Sequence, residues 1–459
     1  MQRSSFWLLL LVTLYVSACA TATRDQVAPV VVPPSTTTTP SGAAPGEPVI
    51  SMIDPYAIDI TALPPGAPAP LQPDQYAPHI ALILPLNSPS FAPHAMAVQQ
   101  GFLAAAGSQA RSFPVRVYSS ADEGKEAIDI YRQAQANGAV AVAGPLTRSG
   151  VALLAGYTNI TLPTLALNTT DSKPESDKLY FFGLIPETEA RQAAQLAFAA
   201  NLRDATIINT GTALSKRLVL AFEDEWKKLG GNITAEVTYK EGDDASVLLN
   251  LPVAPWLVEP EPVPPITVIS ETGEVSTTTP KRTGPPPLAP GNIVFLAGDN
   301  KQARLIRPYL NPSLPVYATS QLFNMHADTL TNYDLNEIHF VDMPWLLQPD
   351  HPAVMIYPRS DTSYDTDKER LYAFGIDAYR LLQMLLNDKL RSSLPMDGVT
   401  GRIHLAEPNL FQRDAITATF RYGRGLTPEG LAAVEAERAA AKAAEIAARR
   451  AAENATPAP

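Results

Sequence analysis

Residues 79–105, HIALILPLNSPSFAPHAMAVQQGFLAA, decide the fold. His79–Leu86 is a short apolar run that closes on proline and gives way to polar Asn87-Ser88-Pro89-Ser90. A helix is predicted next, over roughly His94–Ala106. The alternation continues outward. Val115–Ser119 reads as a strand, Glu123–Asn137 as a helix and Ala139–Ala143 as a strand. Gly144-Pro145-Leu146-Thr147 is a turn that opens another helix, and Leu162–Leu167 is a strand ending in Asn168-Thr169-Thr170. The unit then repeats, with helices over Glu187–Asn201, Ala213–Leu229 and Lys301–Leu310. The strands of this second run are Ala205–Asn209, Ile233–Tyr239, Ile293–Ala297 and Val316–Ala318.

Strands alternating with helices of this length predict an α/β fold with parallel sheets and helices on both faces. Two such runs predict two lobes. In open α/β sheets a ligand sits at the carboxyl ends of the strands. The polar tips there are Asn87 and Ser88, Gly144 and Thr147, Asn168 and Thr169, and Thr319 and Ser320. They are the candidate lining of an interlobe cleft, and plain turn and cap chemistry accounts for the same residue types. All of these tips are neutral, which weighs against a zwitterionic ligand.

Composition bounds the rest. The chain has 459 residues, of which 46% are hydrophobic, so a wholly disordered chain is excluded. No apolar run reaches the ~18–20 residues that a membrane-spanning helix needs. The net charge of −11 argues against nucleic acid as a partner. Proline is unusually frequent, at 44 residues, and it clusters in 20–78 and in 252–290. Without these stretches, a leader and the tail, enough chain remains for two lobes of ~150 residues, each able to bury a core.

The only cysteine is Cys19, so no intrachain disulfide forms. It ends MQRSSFWLLLLVTLYVSAC, with Arg3 as a positive start, Phe6–Val16 as an apolar core and small residues before the cysteine. Val16-Ser17-Ala18-Cys19 resembles the bacterial lipobox, which implies a signal peptide over 1–18 and a covalent diacylglycerol on Cys19. Two or three acyl chains anchor a protein stably, at ~0.8 kcal/mol per buried CH₂. Ala20 in place of aspartate resembles an outer-membrane address, with the body facing the periplasm. The Pro-rich stretch that follows (19–78 with the anchor) reads as an extended tether with an upper reach of ~180 Å. Residues 252–290 form a second Pro-rich stretch, an insert in folded sequence. Within it Ile266–Thr277 has the pattern of a small hairpin around Glu271-Thr272-Gly273. Residues 426–459 read as an Ala-rich solvated helix, capped by Thr427 with Pro428 in its first turn.

Several stretches in order carry a family resemblance. They include 79–105, Val142–Leu146, Leu162–Asn168, Tyr180–Leu184, Pro186–Ala193, Leu314–Ser320, Asp342–Leu347 and Arg370–Arg380. Over about 79–425 the chain resembles the C-terminal domain of the penicillin-binding-protein activator family (LpoA, or LppC). That resemblance implies a two-lobed fold of the type I periplasmic-binding-protein kind, with three passages of the chain between lobes. Lobe one is expected over 79–182 and 319–395, and lobe two over 183–318 and 396–425. It also implies an outer-membrane lipoprotein that stimulates a class A penicillin-binding protein, a peptidoglycan synthase. Long family members carry an N-terminal helical domain, and here the tether is read in its place. The alternative is a lipid-anchored receptor that closes on a small solute.

Enzyme chemistry finds no residues to carry it. No serine has lysine three positions on, and Lys281-Arg282-Thr283-Gly284 only imitates a Lys-Thr-Gly motif. There is no G-x-S-x-G, Walker A or H-E-x-x-H pattern. The six histidines (79, 94, 326, 339, 351, 404) form no close ligand pair. No catalytic residue, metal or cofactor is expected beyond the lipid. Trp345 is a candidate partner contact or a core residue. Tyr372, Phe374 and Tyr379 are expected in the core, and Asp377 with Arg380 as a surface pair.

Overall fold

The computed structural model describes residues 77–455 except 110–111, 245–247, 249–265, 270–274, 279–290, 361–362 and 407–408. The expected signal peptide over 1–18, Cys19, nearly all of the expected tether and much of the 252–290 insert lie outside the described residues.

The opening apolar run forms β1 (His79–Leu84), buried over its whole length. It pairs in parallel with β2 (Val115–Ser119) and β3 (Ala139–Ala143), in the register Ile80↔Val115 and Ile80↔Ala141. Helices α1 (Ala92–Gly107), α2 (Glu123–Ala136) and α3 (Arg148–Ala155) connect these strands. β4 (Thr164–Ala166) and β5 (Leu179–Phe182) extend the sheet. The chain then passes into lobe two through α4 (Pro186–Ala199), β6 (Asp204–Asn209), α5 (Ala213–Leu229) and β7 (Asn232–Thr238). A hairpin of β8 (Ile266–Ile269) and β9 (Val275–Thr278) stands in the insert, in the register Ile269↔Val275, where the sequence pattern puts it. Lobe two continues with β10 (Asn292–Ala297), α6 (Asn300–Ile306), β11 (Val316–Tyr317) and β12 (Ile338–Asp342).

The chain next returns to lobe one as α7 (Pro344–Leu347), α8 (Pro352–Met355), the long α9 (Thr366–Leu386) and α10 (Leu390–Ser393). Strands β13 (Met396–Asp397), β14 (Arg402–Ala406) and β15 (Leu410–Asp414) follow. A last passage leads to β16 (Ile416–Arg421), β17 (Arg424–Leu426) and the exposed helix α11 (Pro428–Ala455). Thr427 caps that helix, its Oγ1 accepting from the Gly430 amide at 3.2 Å.

The eight-stranded sheet of lobe one runs β13-β14-β15-β5-β4-β3-β1-β2, and the seven-stranded sheet of lobe two runs β17-β16-β12-β11-β10-β6-β7. Both are parallel through the middle and antiparallel at one edge. This corrects two expected lobe boundaries. β12 pairs with β11 and prolongs the parallel sheet of lobe two, so the second passage falls at Met343 rather than after 318. β15 pairs in parallel with β5, so 396–414 belong to lobe one and the third passage falls at Ala415 rather than after 395. The first passage runs over 183–185, between β5 and α4.

The core of lobe one forms where α1 and α9 pack on the sheet. Phe102 meets Tyr379 edge-on at 5.2 Å, and Phe182 stacks on Phe374 at 4.9 Å. The helices approach so closely because each presents a glycine. A Cβ on Gly375 would stand 2.2 Å from the Val98 carbonyl oxygen, and one on Gly101 would stand 1.9 Å from that of Tyr372. Lobe two buries Phe222, Trp226 and Phe295 on one sheet face, and Leu296, Val316, Phe340 and Phe420 on the other.

Candidate interlobe site

The loops at the carboxyl ends of β1, β3 and β4 build one wall of the cleft. Gly144 ends β3 at φ +103°, and a Cβ there would stand 2.1 Å from the Ile83 carbonyl oxygen, so only glycine fits. The following loop hangs on Glu123, a buried carboxylate from the first turn of α2. It accepts the Thr147 amide at 2.6 Å and the Leu146 amide at 3.0 and 3.1 Å. Burial raises the Glu123 pKa, and these amides pull the other way. Thr147 then caps α3 through the Gly150 amide at 3.2 Å. Asn168 braces the loop from β4, its Nδ2 donating to the Leu146 carbonyl at 2.9 Å.

Thr147 and Asn168 thus come together, and both line a cavity of about 520 Å³. Apolar Phe91, Leu146, Leu371 and Phe374 line most of the rest, with His94 and Arg148 at polar positions. Asn87 and Ser88 lie on the loop before α1, where Ser88 closes a turn through its carbonyl to the Phe91 and Ala92 amides. Gly144 shapes the loop without lining the cavity. Thr169 faces a separate cavity with Asp171, Lys173 and Phe181. Cys19 lies outside the described residues.

Thr319 and Ser320 are buried, and Ser320 belongs to a different arrangement. Its amide donates to Glu189 Oε2 at 3.1 Å, and its carbonyl accepts from Arg370 Nη2 at 2.8 Å. Two buried ion pairs meet here across the lobes. Arg370 of α9 grips Asp342 at 2.7 Å, at the end of β12 beside the second passage. Arg413 of β15 pairs with Glu189 of α4 and also donates to the Thr400 carbonyl at 3.1 Å. Burial works against the charge on Arg370, and Asp342 outweighs it, so the pKa of this guanidinium is raised. Gln192 of α4 completes the set, bonding both the amide and the carbonyl of Ala415 at the third passage.

One sequence expectation changes, and one alternative is decided. Asp377 and Arg380 are not a surface pair. Asp377 is fully buried and accepts the Val399 and Thr400 amides and the Thr400 hydroxyl, while Arg380 bonds it at 2.9 Å. Trp345 is a core residue, 2% exposed, with its indole N–H on Glu369 at 2.7 Å and the Arg359 guanidinium over its ring. Tyr372, Phe374 and Tyr379 are core as expected. The buried charges Glu123, Glu189, Arg370 and Arg413 escape the sequence reading. A usable signal exists for Arg370, which shares a helical face with Phe374 and Leu381, and for Glu189, which shares one with Ala193 and Ala197.

Two mostly parallel, helix-covered sheets joined by three passages define a protein of the type I periplasmic-binding-protein class. Within that class the chain belongs to the LppC family, described as "LppC putative lipoprotein", whose profile matches residues 71–261 and 268–423. Curated relatives include "Penicillin-binding protein activator LpoA" of Serratia proteamaculans, 26% identical over 326 residues, covering 69% of this chain and 47% of the relative. The protein of the same description from Yersinia pseudotuberculosis is 26% identical over 397 residues, covering 75% and 60%. The chain therefore spans about half to three-fifths of the length of these relatives. Among solved structures, a "putative branched-chain amino acid ABC transporter" of Chromobacterium violaceum is 33% identical. It covers 74% of this chain and 99% of its own, with a TM-score of 0.59. The C-domain of LpoA from Haemophilus influenzae, described as "a regulator of PBP1A", is 22% identical with a TM-score of 0.58. The match covers 76% of this chain and 99% of that one.

Proposed function

We propose that this chain is an outer-membrane lipoprotein that binds and activates a class A penicillin-binding protein, and so regulates peptidoglycan synthesis without catalysing a reaction itself. The observation that carries this reading is the match to the activator family along the whole two-lobed body, the part in which the curated activators and this chain correspond. The lipobox supports a lipid on Cys19, and the Pro-rich stretch after it supplies the reach from the membrane to a synthase. The test is glycan polymerisation by purified class A synthases with and without the chain, beside a pull-down. A rise in rate with one synthase supports the reading. No binding and no rate change with every class A synthase of the host refutes it.

One observation favours a second reading, a lipid-anchored solute receptor. The cavity of about 520 Å³ beside Thr147 and Asn168 has the apolar lining and few polar groups of a small-molecule site. A ligand-dependent rise in melting temperature on screening small metabolites supports it, and its loss on Asn168→Ala assigns the site.

A further inference from the structure

The contacts between the lobes do not stop at the three passages. Segment Ser320–His326 of lobe two lies along the segment of lobe one that begins at Tyr364 and enters α9. Arg370 Nη2 donates to the carbonyls of Ser320 at 2.8 Å and Phe323 at 3.0 Å. One turn earlier, Thr366 Oγ1 donates to Asn324 Oδ1 and accepts the Met325 amide, both at 3.1 Å. Further on, the His326 ring Nε2 meets the Tyr364 carbonyl at 2.8 Å. On the inner side, Glu189 ties Ser320 to Arg413, and Gln192 ties α4 to Ala415. Apart from the Ser320–Glu189 bond, which lies within lobe two, each of these bonds joins residues of different lobes or a lobe to a passage.

We propose that Ser320–His326 and the start of α9 form a latch that holds the two lobes in one fixed arrangement, so that the cleft does not open and close as a clamp. A rotation of one lobe on the other has to shear this set. It also leaves guanidinium or carboxylate groups of Arg370, Asp342, Glu189 and Arg413 buried without their partners, which is what opposes the motion. In this arrangement the cavities belong to single lobes. The lobe-one cavity is lined from lobe one and from Leu184 in the first passage, with no residue from the body of lobe two. A separate cavity of about 220 Å³ on lobe two, by Thr212, Ser215 and Asp299, takes no residue from lobe one. The inference is independent of the synthase reading, because its test contains no synthase.

The test is a distance measurement in the full chain. With Cys19→Ser removing the native thiol, spin labels are placed on Lys125→Cys in lobe one and Lys216→Cys in lobe two, both at exposed positions. Pulsed electron paramagnetic resonance then reads the interlobe distance. The expected result is one narrow distance while the latch is intact. A second distance appears in Arg370→Met, or in Thr366→Val, which keeps both buried ion pairs should the first variant not fold. A broad or two-peaked distribution with the latch intact overturns the proposal. So does a single unchanged distance in a folded latch variant.

Discussion

Replacing Gly375 by alanine tests the packing on which lobe one rests. The new Cβ meets the Val98 carbonyl oxygen at 2.2 Å and the Phe102 amide nitrogen at 2.8 Å, where ordinary contact begins near 3.4 Å. The obstacle is helix backbone, which cannot swing aside as a side chain can. α1 and α9 must therefore part locally, and the Phe102–Tyr379 and Phe182–Phe374 contacts loosen with them. Overpacking of this kind costs about 1–3 kcal/mol, and the upper end applies where backbone obstructs. Alanine returns about 1 kcal/mol through its better helix propensity. The net loss is about 2 kcal/mol, equivalent to a fall in melting temperature of about 3 °C for a body of roughly 350 residues, at about 2.1 cal/mol/K of unfolding entropy per residue. Gly107→Ala is the matched control, since that glycine lies in the same α1 with nothing within 4 Å of its Cβ position. Thermal unfolding of the two variants beside the unsubstituted chain decides the matter. A Gly375→Ala melting temperature equal to or above that of the unsubstituted chain refutes the close-approach account.

Three further outcomes follow from the buried charges and from Trp345. Arg413→Met strands Glu189 and is expected to cost about 3–5 kcal/mol in denaturant unfolding, whereas adding Glu189→Gln restores much of it. Strictly additive losses would count against a coupled pair. Burial raises the folded-state pKa of Glu123 above its ordinary value of 4.5. Its contribution to stability is thus full below that value and is lost as pH rises through the folded pKa. The unsubstituted chain should lose stability relative to Glu123→Gln as pH climbs above 4.5, and parallel melting curves across that range would contradict this. Trp345→Ala is expected to destabilise the fold by about 3–5 kcal/mol. Normal stability with selective loss of synthase binding would return Trp345 to the surface role it is denied here.

The sequence reading succeeds where local signals are strong. β1 announces itself as an unbroken apolar run, and Gly144, Thr147 and Asn168 stand out because turns and caps demand their residue types. It fails where an element is short or its partner is remote. Ile338–Asp342 has five residues, and only its pairing with Val316 and Tyr317 makes it a strand of lobe two. The β15–β5 pair is equally invisible locally, and that pair moves the third passage. At the site, Ser320 reads as a polar tip, yet both its backbone groups are taken by charges from other elements. Nothing in its own neighbourhood of sequence announces Glu189 or Arg370, because the pairing depends on how two lobes meet.

The pairing of β5 with β15, through Phe181 and Leu410, has a consequence for how the molecule comes into being. As the chain emerges from its N-terminus, β5 remains an open edge until the whole of lobe two up to β12 has been made. Lobe two in turn lacks β16 until lobe one is complete. Neither half can be excised as one continuous piece, and a product cut short before residue 410 exposes a strand edge of the kind that invites misassociation. Both sheets are therefore completed only late in synthesis, when β15 reaches β5 and β16 reaches β12.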